Sequence, residues 1–177
     1  MAQLFLAGER LYLRSVELAD APLLVRWGTR PELRRLIDSR RPIRLDQEED
    51  WLRLHRHEEL LELLIVLRAD ERPIGCVSLG QFEDEHADLG ITLGEPDCWG
   101  QGYGSEATAL VLDHAFDGLG LHRVALGVFA TNPRAIACYE RLGFVREGVL
   151  REAARWGDGW TDELRMAILD REWRARR

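Results

Sequence analysis

The hydrophobic residues of this chain recur with two different spacings, and the order of those spacings predicts its secondary structure. Segments that alternate or are continuously apolar predict strands, and apolar positions three and four residues apart predict helices. The strand segments are 9–14, 61–68, 74–81, 87–93, 122–130, 144–150 and 164–169. Helical segments follow Asp20, Asp46, Gly104 and Asn132, and both Asp46 and Asn132 are typical helix caps.

Turn residues between these segments predict how the strands are connected. Arg72-Pro73 and the acidic turn before residue 87 separate three consecutive strands, which we expect to pair antiparallel. The segment 122–130 is apolar on both faces, as expected for a strand in the middle of a sheet. This order predicts an α/β fold of the α+β type and not a regular βαβ alternation. With 177 residues and 46% hydrophobic composition, we predict one domain over residues 1–177.

Charge and composition exclude several classes of protein. A formal net charge of -7 argues against nucleic-acid binding, which needs a basic surface. All 24 basic residues are arginine, so the chain has neither a P-loop lysine nor a lysine for a Schiff base. The N-terminus lacks the long apolar run of a signal peptide or membrane helix, so we expect a cytoplasmic protein with no membrane partner.

Cysteine and histidine positions do not suggest a disulfide or a metal site. Cys76, Cys98 and Cys138 are odd in number and widely spaced, so we expect reduced thiols. His55 and His57 form the one close histidine pair, and a spacing of two places them on different faces of a helix. We therefore predict that the protein binds no metal.

A glycine turn, Trp-Gly-Gln-Gly-Tyr-Gly-Ser at residues 99–105, leads directly into a predicted helix. Glycines leave backbone N–H groups unobstructed beside the positive end of a helix dipole, an arrangement that binds phosphate. A tight helix entry without a ligand is the first alternative. The second is a dinucleotide-binding fingerprint at Gly102, Gly104 and Ala107. That fingerprint requires an acidic residue about 20 positions later, and residues 119–125 contain none.

Three motifs follow one another in the second half of the chain. They are Trp99-Gly100-Gln101-Gly102-Tyr103-Gly104-Ser105-Glu106-Ala107, then Asn132-Pro133-Arg134-Ala135, then Tyr139-Glu140-Arg141-Leu142-Gly143-Phe144. Together they resemble the GNAT acetyltransferase family, in particular its branch of ribosomal-protein-alanine acetyltransferases. The resemblance extends over nearly the entire chain.

The resemblance implies a central, mostly antiparallel mixed sheet, flanked by helices, whose fourth and fifth strands splay apart around coenzyme A. The fourth strand would be 88–93, where main-chain groups of Ile91, Thr92 and Leu93 would pair with the pantetheine arm. The amides of residues 101–105 would bind the pyrophosphate. The turn residues assigned to the coenzyme are Trp99, Gly100, Gln101, Gly102, Tyr103, Gly104 and Ser105. Acetyl-CoA would be the co-substrate, without a metal.

Three residues in or near the coenzyme site are compared with the family pattern. Trp99 departs from the family, whose motif often has glutamine or arginine there, although related members of this branch also carry tryptophan. Asn132 caps a helix, and by resemblance it also reaches the coenzyme. Arg134 would meet a phosphate at the outer end of the coenzyme, with simple solvation as the alternative.

Acetyl transfer from a thioester to an amine needs a neutral amine, a stabilised oxyanion and a proton for the departing thiolate. By resemblance, Tyr139 lies beside the thioester sulfur, where its hydroxyl can donate that proton. Its spacing from Ala135 and Leu142 also fits a buried helix stripe, so core packing is the alternative.

The general base has several acidic candidates in the hairpin before the cleft strand. Asp88 is preferred because it begins that strand, and Glu85 is second. Proton transfer to water alone is the remaining interpretation.

The resemblance implies an N-acetyltransferase that moves acetyl to a primary amine, either a protein N-terminus or a small amine, by direct attack in a ternary complex. The alternative is a non-catalytic acyl-CoA-binding sensor or interaction module of the same fold. Acceptor contacts would come from the connection at 34–46 and the loop at 156–161. The resemblance also suggests a homodimer.

Overall fold

Eight strands form one mixed sheet in the computed structural model, in the order β1-β2-β3-β4-β5-β6-β8-β7. The structure describes residues 4–36, 44–54 and 60–177. The strands are β1 (Leu4–Ala7), β2 (Leu11–Ser15), β3 (Leu60–Leu67), β4 (Pro73–Glu83), β5 (His86–Leu93), β6 (Arg123–Phe129), β7 (Val145–Trp156) and β8 (Gly159–Leu169). The helices are α1 (Ala21–Thr29), α2 (Pro31–Arg34), α3 (Leu45–Leu54), α4 (Tyr103–Asp113), α5 (Pro133–Leu142) and α6 (Asp170–Arg174). This mixed α/β architecture confirms the predicted fold class.

The first five strands pair antiparallel in chain order, as expected for the three strands that the turns separate. Alternation along β3 gives the sheet two apolar faces. Leu63 and Ile65 belong to the core that includes α4, whereas Leu64 and Val66 pack in the cluster that contains Trp27 of α1. Helices therefore cover both faces of the sheet.

The N-terminal hairpin, residues 4–15, differs from the prediction of a single strand at 9–14. Gly8 N donates to Leu11 O at 2.9 Å, so the chain turns at Gly8-Glu9-Arg10 and β2 starts at Leu11. The preceding strand β1 is only four residues long and continuously apolar, so it has no alternation to detect. The strand expected as the fourth is consequently β5, and its splayed neighbour is β6.

The splay between β5 and β6 is visible in their pairing. The two strands run parallel and pair only from His86–Arg123 to Asp88–Ala125. Beyond that point β6 continues to pair with β8 on its other side. Within the described part of the chain, residues 89–93 of β5 have no strand partner on the β6 side. The sheet is therefore open along one edge of β5, as the resemblance implied.

Two boundaries differ from the sequence prediction. Asp46 is the second residue of α3, which begins at Leu45, and so it is not the cap; its carboxylate pairs with the Arg44 side chain at 3.0 Å. The last hairpin extends much further around the turn at 157–158 than the two apolar segments suggested, since most of β7 is exposed and lacks a hydrophobic pattern. The cap at Asn132 is confirmed.

Some sequence predictions fall on residues that the structure leaves undescribed. These are most of the connection at 34–46 and the pair His55 and His57, which lie outside the described residues. In the described ranges, no helix is long and apolar enough to cross a membrane. Cys76, Cys98 and Cys138 are not joined in disulfides in the described structure.

Candidate active site

A cavity of about 1290 Å³ opens between β5, β6, α5 and the glycine turn. It is where the splayed strands part, so backbone groups of β5 face it together with side chains from α5. The predicted site residues that line it are Asp88, Ile91, Thr92, Leu93, Trp99, Gly100, Gly102, Gly104, Ser105, Asn132, Arg134 and Tyr139. Among the described residues, the lining does not include the predicted Glu85, Gln101 and Tyr103.

The glycine turn has the backbone conformation that an anion site needs. Gly100 and Gly102 have φ values of 75° and 85°, in the left-handed region that favours glycine. Gly102 caps α4, and its carbonyl accepts from Glu106 N at 3.0 Å. The first N–H groups of a helix have no acceptor within it, so those of α4 are available to a ligand. A side chain at Gly100 would meet nothing within 4 Å, so the space beside the turn is open for a phosphate group.

Gln101 and Tyr103 have side chains engaged away from the cavity. The Gln101 amide nitrogen donates to the Asp97 carbonyl. The Tyr103 ring lies 4.7 Å from the Arg10 guanidinium carbon. These two residues can therefore serve a ligand only through their backbone, which is the role predicted for them.

Trp99 ties the turn to the cleft strand. Its indole Nε1 donates to the Leu93 carbonyl, the last of β5, at 2.8 Å. The guanidinium carbon of Arg134 also lies over the Trp99 ring, 4.5 Å from the ring centroid. Tryptophan at this position thus links β5, the turn and α5.

Helix α5 starts at the cavity because Asn132 and Pro133 begin it there. Asn132 Oδ1 accepts from Ala135 N at 3.3 Å, and proline occupies the first helical position without losing a hydrogen bond. Two turns further along, Cys138 Sγ lies 3.0 Å from Ser105 Oγ of α4. This contact holds the two helices together at the wall of the cavity.

Tyr139 is both a core residue and a cavity residue, so its two interpretations coexist. Tyr139 is 8% exposed. Its ring packs edge-on against the Phe144 ring, with 5.7 Å between the ring centroids. Burial, with a smaller effect from Cys138, raises the pKa of the phenol above its usual value of 10.0. Among the described residues, none forms a hydrogen bond with the hydroxyl. The phenol of this cavity residue is therefore protonated in the neutral range.

Polar residues form the cavity wall at the paired end of β5 and β6. Arg165 Nη2 donates to Asp88 Oδ2 at 3.1 Å, and Arg165 Nη1 lies 3.4 Å from Glu163 Oε1. Glu163 has a side chain only 17% exposed. It is seated over Gly127 of β6, where a β-carbon would lie 2.8 Å from the Glu163 carboxyl carbon. Glu62 is a further buried carboxylate on the wall.

Sequence reasoning missed Glu62, Glu163 and Arg165. One signal was present: a glycine inside the otherwise apolar β6 often marks a close approach. Glu85 instead lies at the tip of the β4–β5 turn, with φ at 63°. In residues 4–36, 44–54 and 60–177, no group of three or more His, Cys, Asp or Glu side chains could hold a metal ion.

Comparison with known proteins agrees with this geometry. Residues 10–145 match the family model described as the acetyltransferase (GNAT) domain. The chain is 32% identical to the probable N-acetyltransferase YjcK of Bacillus subtilis, over 93% of this chain and 97% of that protein. It is also 32% identical to a spermidine N(1)-acetyltransferase of Vibrio cholerae, over 70% of this chain and 72% of that protein.

A solved structure shows the same fold. The crystal structure of a spermidine N-acetyltransferase from Vibrio cholerae in complex with CoA and spermine superposes with a TM-score of 0.87 at 25% identity, covering 94% of this chain and 99% of that chain. The glycine turn, the open edge of β5 and the helix bearing Tyr139 thus lie in a fold already known to bind CoA. The chain therefore belongs to the GNAT family and is an acetyl-CoA-dependent N-acetyltransferase.

Proposed function

We propose that the enzyme transfers acetyl directly from acetyl-CoA to a primary amine, with both substrates bound in one ternary complex. The observation that carries this proposal is one continuous cavity that is lined by the glycine turn, the open edge of β5 and Tyr139. A continuous cavity leaves room for an amine to approach from the end lined by Asp88 and Glu163.

The coenzyme is held mainly by backbone. The α4 N-terminal amides would bind its pyrophosphate, and residues 91–93 would pair with its pantetheine arm along the edge that β6 leaves open. Arg134, stacked on Trp99, is placed for an outer phosphate. Acetyl-CoA supplies a thioester whose sulfur needs a proton when it leaves.

Tyr139 is proposed to donate that proton. Burial raises the pKa of its phenol, so the hydroxyl stays protonated across the neutral and moderately alkaline range. A protonated donor is what a departing thiolate requires. Since the pKa is raised, loss of the proton does not limit activity on the alkaline side of neutrality.

Asp88 is proposed to receive the amine proton through water. Its carboxylate lies at the amine end of the cavity, and Arg165 balances its charge. The ion pair with Arg165 therefore holds the Asp88 carboxylate in place at the cavity wall. Proton loss to bulk water remains the competing route.

Asp88→Asn is expected to lower kcat/KM for the amine by about 10-fold, because the asparagine keeps the size of the side chain but cannot accept the proton. Initial rates of thiol release across pH 6 to about 9 measure this. Glu85→Gln is the matched control, and we expect wild-type rates because Glu85 lies outside the lining residues. Equal losses in the two variants would refute the assignment of Asp88.

The acceptor is proposed to be a small cationic amine. Asp88 and Glu163 share one pairing arginine, Arg165, so this cluster on the cavity wall keeps a net negative charge, and opposite charges attract in a partly buried site. Glu62 also lines the cavity. The similar sequence and the similar solved structure from Vibrio cholerae are both named as spermidine acetyltransferase, which supports a polyamine in particular. A protein N-terminus is the second candidate.

An amine screen with acetyl-CoA tests the acceptor class. We expect faster thiol release with spermidine, spermine and short diamines than with short peptides that carry a free N-terminus. The reverse ranking would favour the protein N-terminus. Tight CoA binding without thiol release for any amine would favour the non-catalytic module.

The single domain over residues 1–177 and the homodimer stay predictions.

A further inference from the structure

We propose that Arg10, in the N-terminal hairpin, is a positioning residue that holds the glycine turn in its pyrophosphate-binding conformation. This inference rests on the proposed function, since it assumes that the turn binds the pyrophosphate of CoA. Arg10 is not among the described residues that line the cavity, so it acts through the turn and not on the ligand.

The Arg10 side chain contacts the turn at several points. Its Nη1 donates to the Gln101 carbonyl at 2.8 Å, and its guanidinium carbon lies 4.7 Å from the centre of the Tyr103 ring. Its Nη2 lies 3.2 Å from where a β-carbon on Gly102 would stand. One guanidinium group therefore spans the stretch from Gln101 to Tyr103, which contains the left-handed Gly102.

Glu106, in the first turn of α4, binds both the side chain and the backbone of Arg10. Its Oε2 accepts from Arg10 Nε at 2.8 Å, and its Oε1 accepts from the backbone N–H groups of Arg10 and Leu11 at 2.8 and 3.3 Å. Gly8 leaves room for this carboxylate, because a β-carbon there would lie 2.7 Å from Oε1. The hairpin turn and the helix start are thus bound together as one unit.

The expected benefit is preorganisation. A turn with two glycines at positive φ has many conformations when unrestrained, and ordering it during binding would reduce affinity. Contacts with Arg10 fix the turn before the ligand arrives. Glu106 neutralises the charge of Arg10, and its side chain is 17% exposed against 45% for Arg10. The effect is therefore geometric, and not simple attraction of phosphate to a cation.

Isothermal titration calorimetry on Arg10→Ala, with three ligands, tests the proposal. CoA and dephospho-CoA carry the pyrophosphate, whereas pantetheine lacks it. We expect the Kd for CoA and for dephospho-CoA to rise about 10-fold each and the Kd for pantetheine to stay within about 2-fold of wild type. Arg177→Ala is the control, since it removes an exposed arginine ion-paired with Asp113 and Asp117, and we expect unchanged values for all ligands.

A double-mutant cycle with Glu106→Gln separates positioning from general damage. If Arg10 and Glu106 stabilise the turn through the same contact, their losses are not additive. The Arg10→Ala/Glu106→Gln protein then loses no more CoA affinity than the weaker-binding single variant. An equal loss for pantetheine, additive losses in the cycle, or an unchanged Kd for CoA would overturn the proposal. Failure of wild-type protein to bind CoA would instead overturn the proposed function itself.

Discussion

Replacing Tyr139 by phenylalanine is expected to lower kcat by about 100-fold while leaving the Kd for acetyl-CoA within about 2-fold of wild type. The hydroxyl is the one atom removed, and the ring can keep its edge-on contact with Phe144. A loss in kcat without a loss in affinity is the signature of a group that acts in the transition state. Stopped-flow or steady-state assays of thiol release, with calorimetry for affinity, give the two numbers.

Tyr12→Phe is the matched control for this experiment. It removes the same atom from a tyrosine of β2 whose hydroxyl donates to Glu71 and which is not among the described residues that line the cavity, so we expect wild-type kcat. A kcat of Tyr139→Phe equal to that of wild type would exclude the hydroxyl from the mechanism. The Tyr139 contact with Phe144 would then be its whole role.

Gly75→Ala is expected to destabilise the fold by about 2 kcal/mol and to weaken acetyl-CoA binding at the same time. A β-carbon at Gly75 would clash with the backbone carbonyl of Thr92 and lie 3.0 Å from the Leu93 α-carbon. Backbone atoms cannot rotate away as a flexible side chain can, so the end of β5 must shift. Because Thr92 and Leu93 line the cavity, the same shift deforms the coenzyme site.

Gly148→Ala is the control for Gly75→Ala. Gly148 also lies in a strand, β7, but a β-carbon there would meet nothing within 4 Å. We expect its free energy of unfolding in urea and its Kd for acetyl-CoA to match wild type. If Gly75→Ala were as stable as Gly148→Ala, or lost stability with unchanged affinity, the coupling between Gly75 and the cavity would be wrong.

The sequence predicted local features better than long-range ones. The glycine turn and the cap at Asn132 depend on a few neighbouring residues, and both lie where they were expected. The splay of β5 from β6 has no local signal, so only the family resemblance implied it. The ion pair of Asp88 with Arg165 joins residues 77 positions apart, a separation that no periodicity reveals. Residues 4–7 are too short and too uniformly apolar to distinguish a strand from a tail.

The three-residue junction between β5 and β6 also has a thermodynamic consequence. It leaves strands β1–β5 and strands β6–β8 of one sheet joined by little direct pairing. A ligand that lies between them binds only when both are folded and correctly placed. By mass action, each tenfold rise in the coenzyme concentration above its Kd adds about 1.4 kcal/mol to the free energy of unfolding. The resistance of this enzyme to heat and proteolysis would therefore follow the cellular supply of coenzyme A.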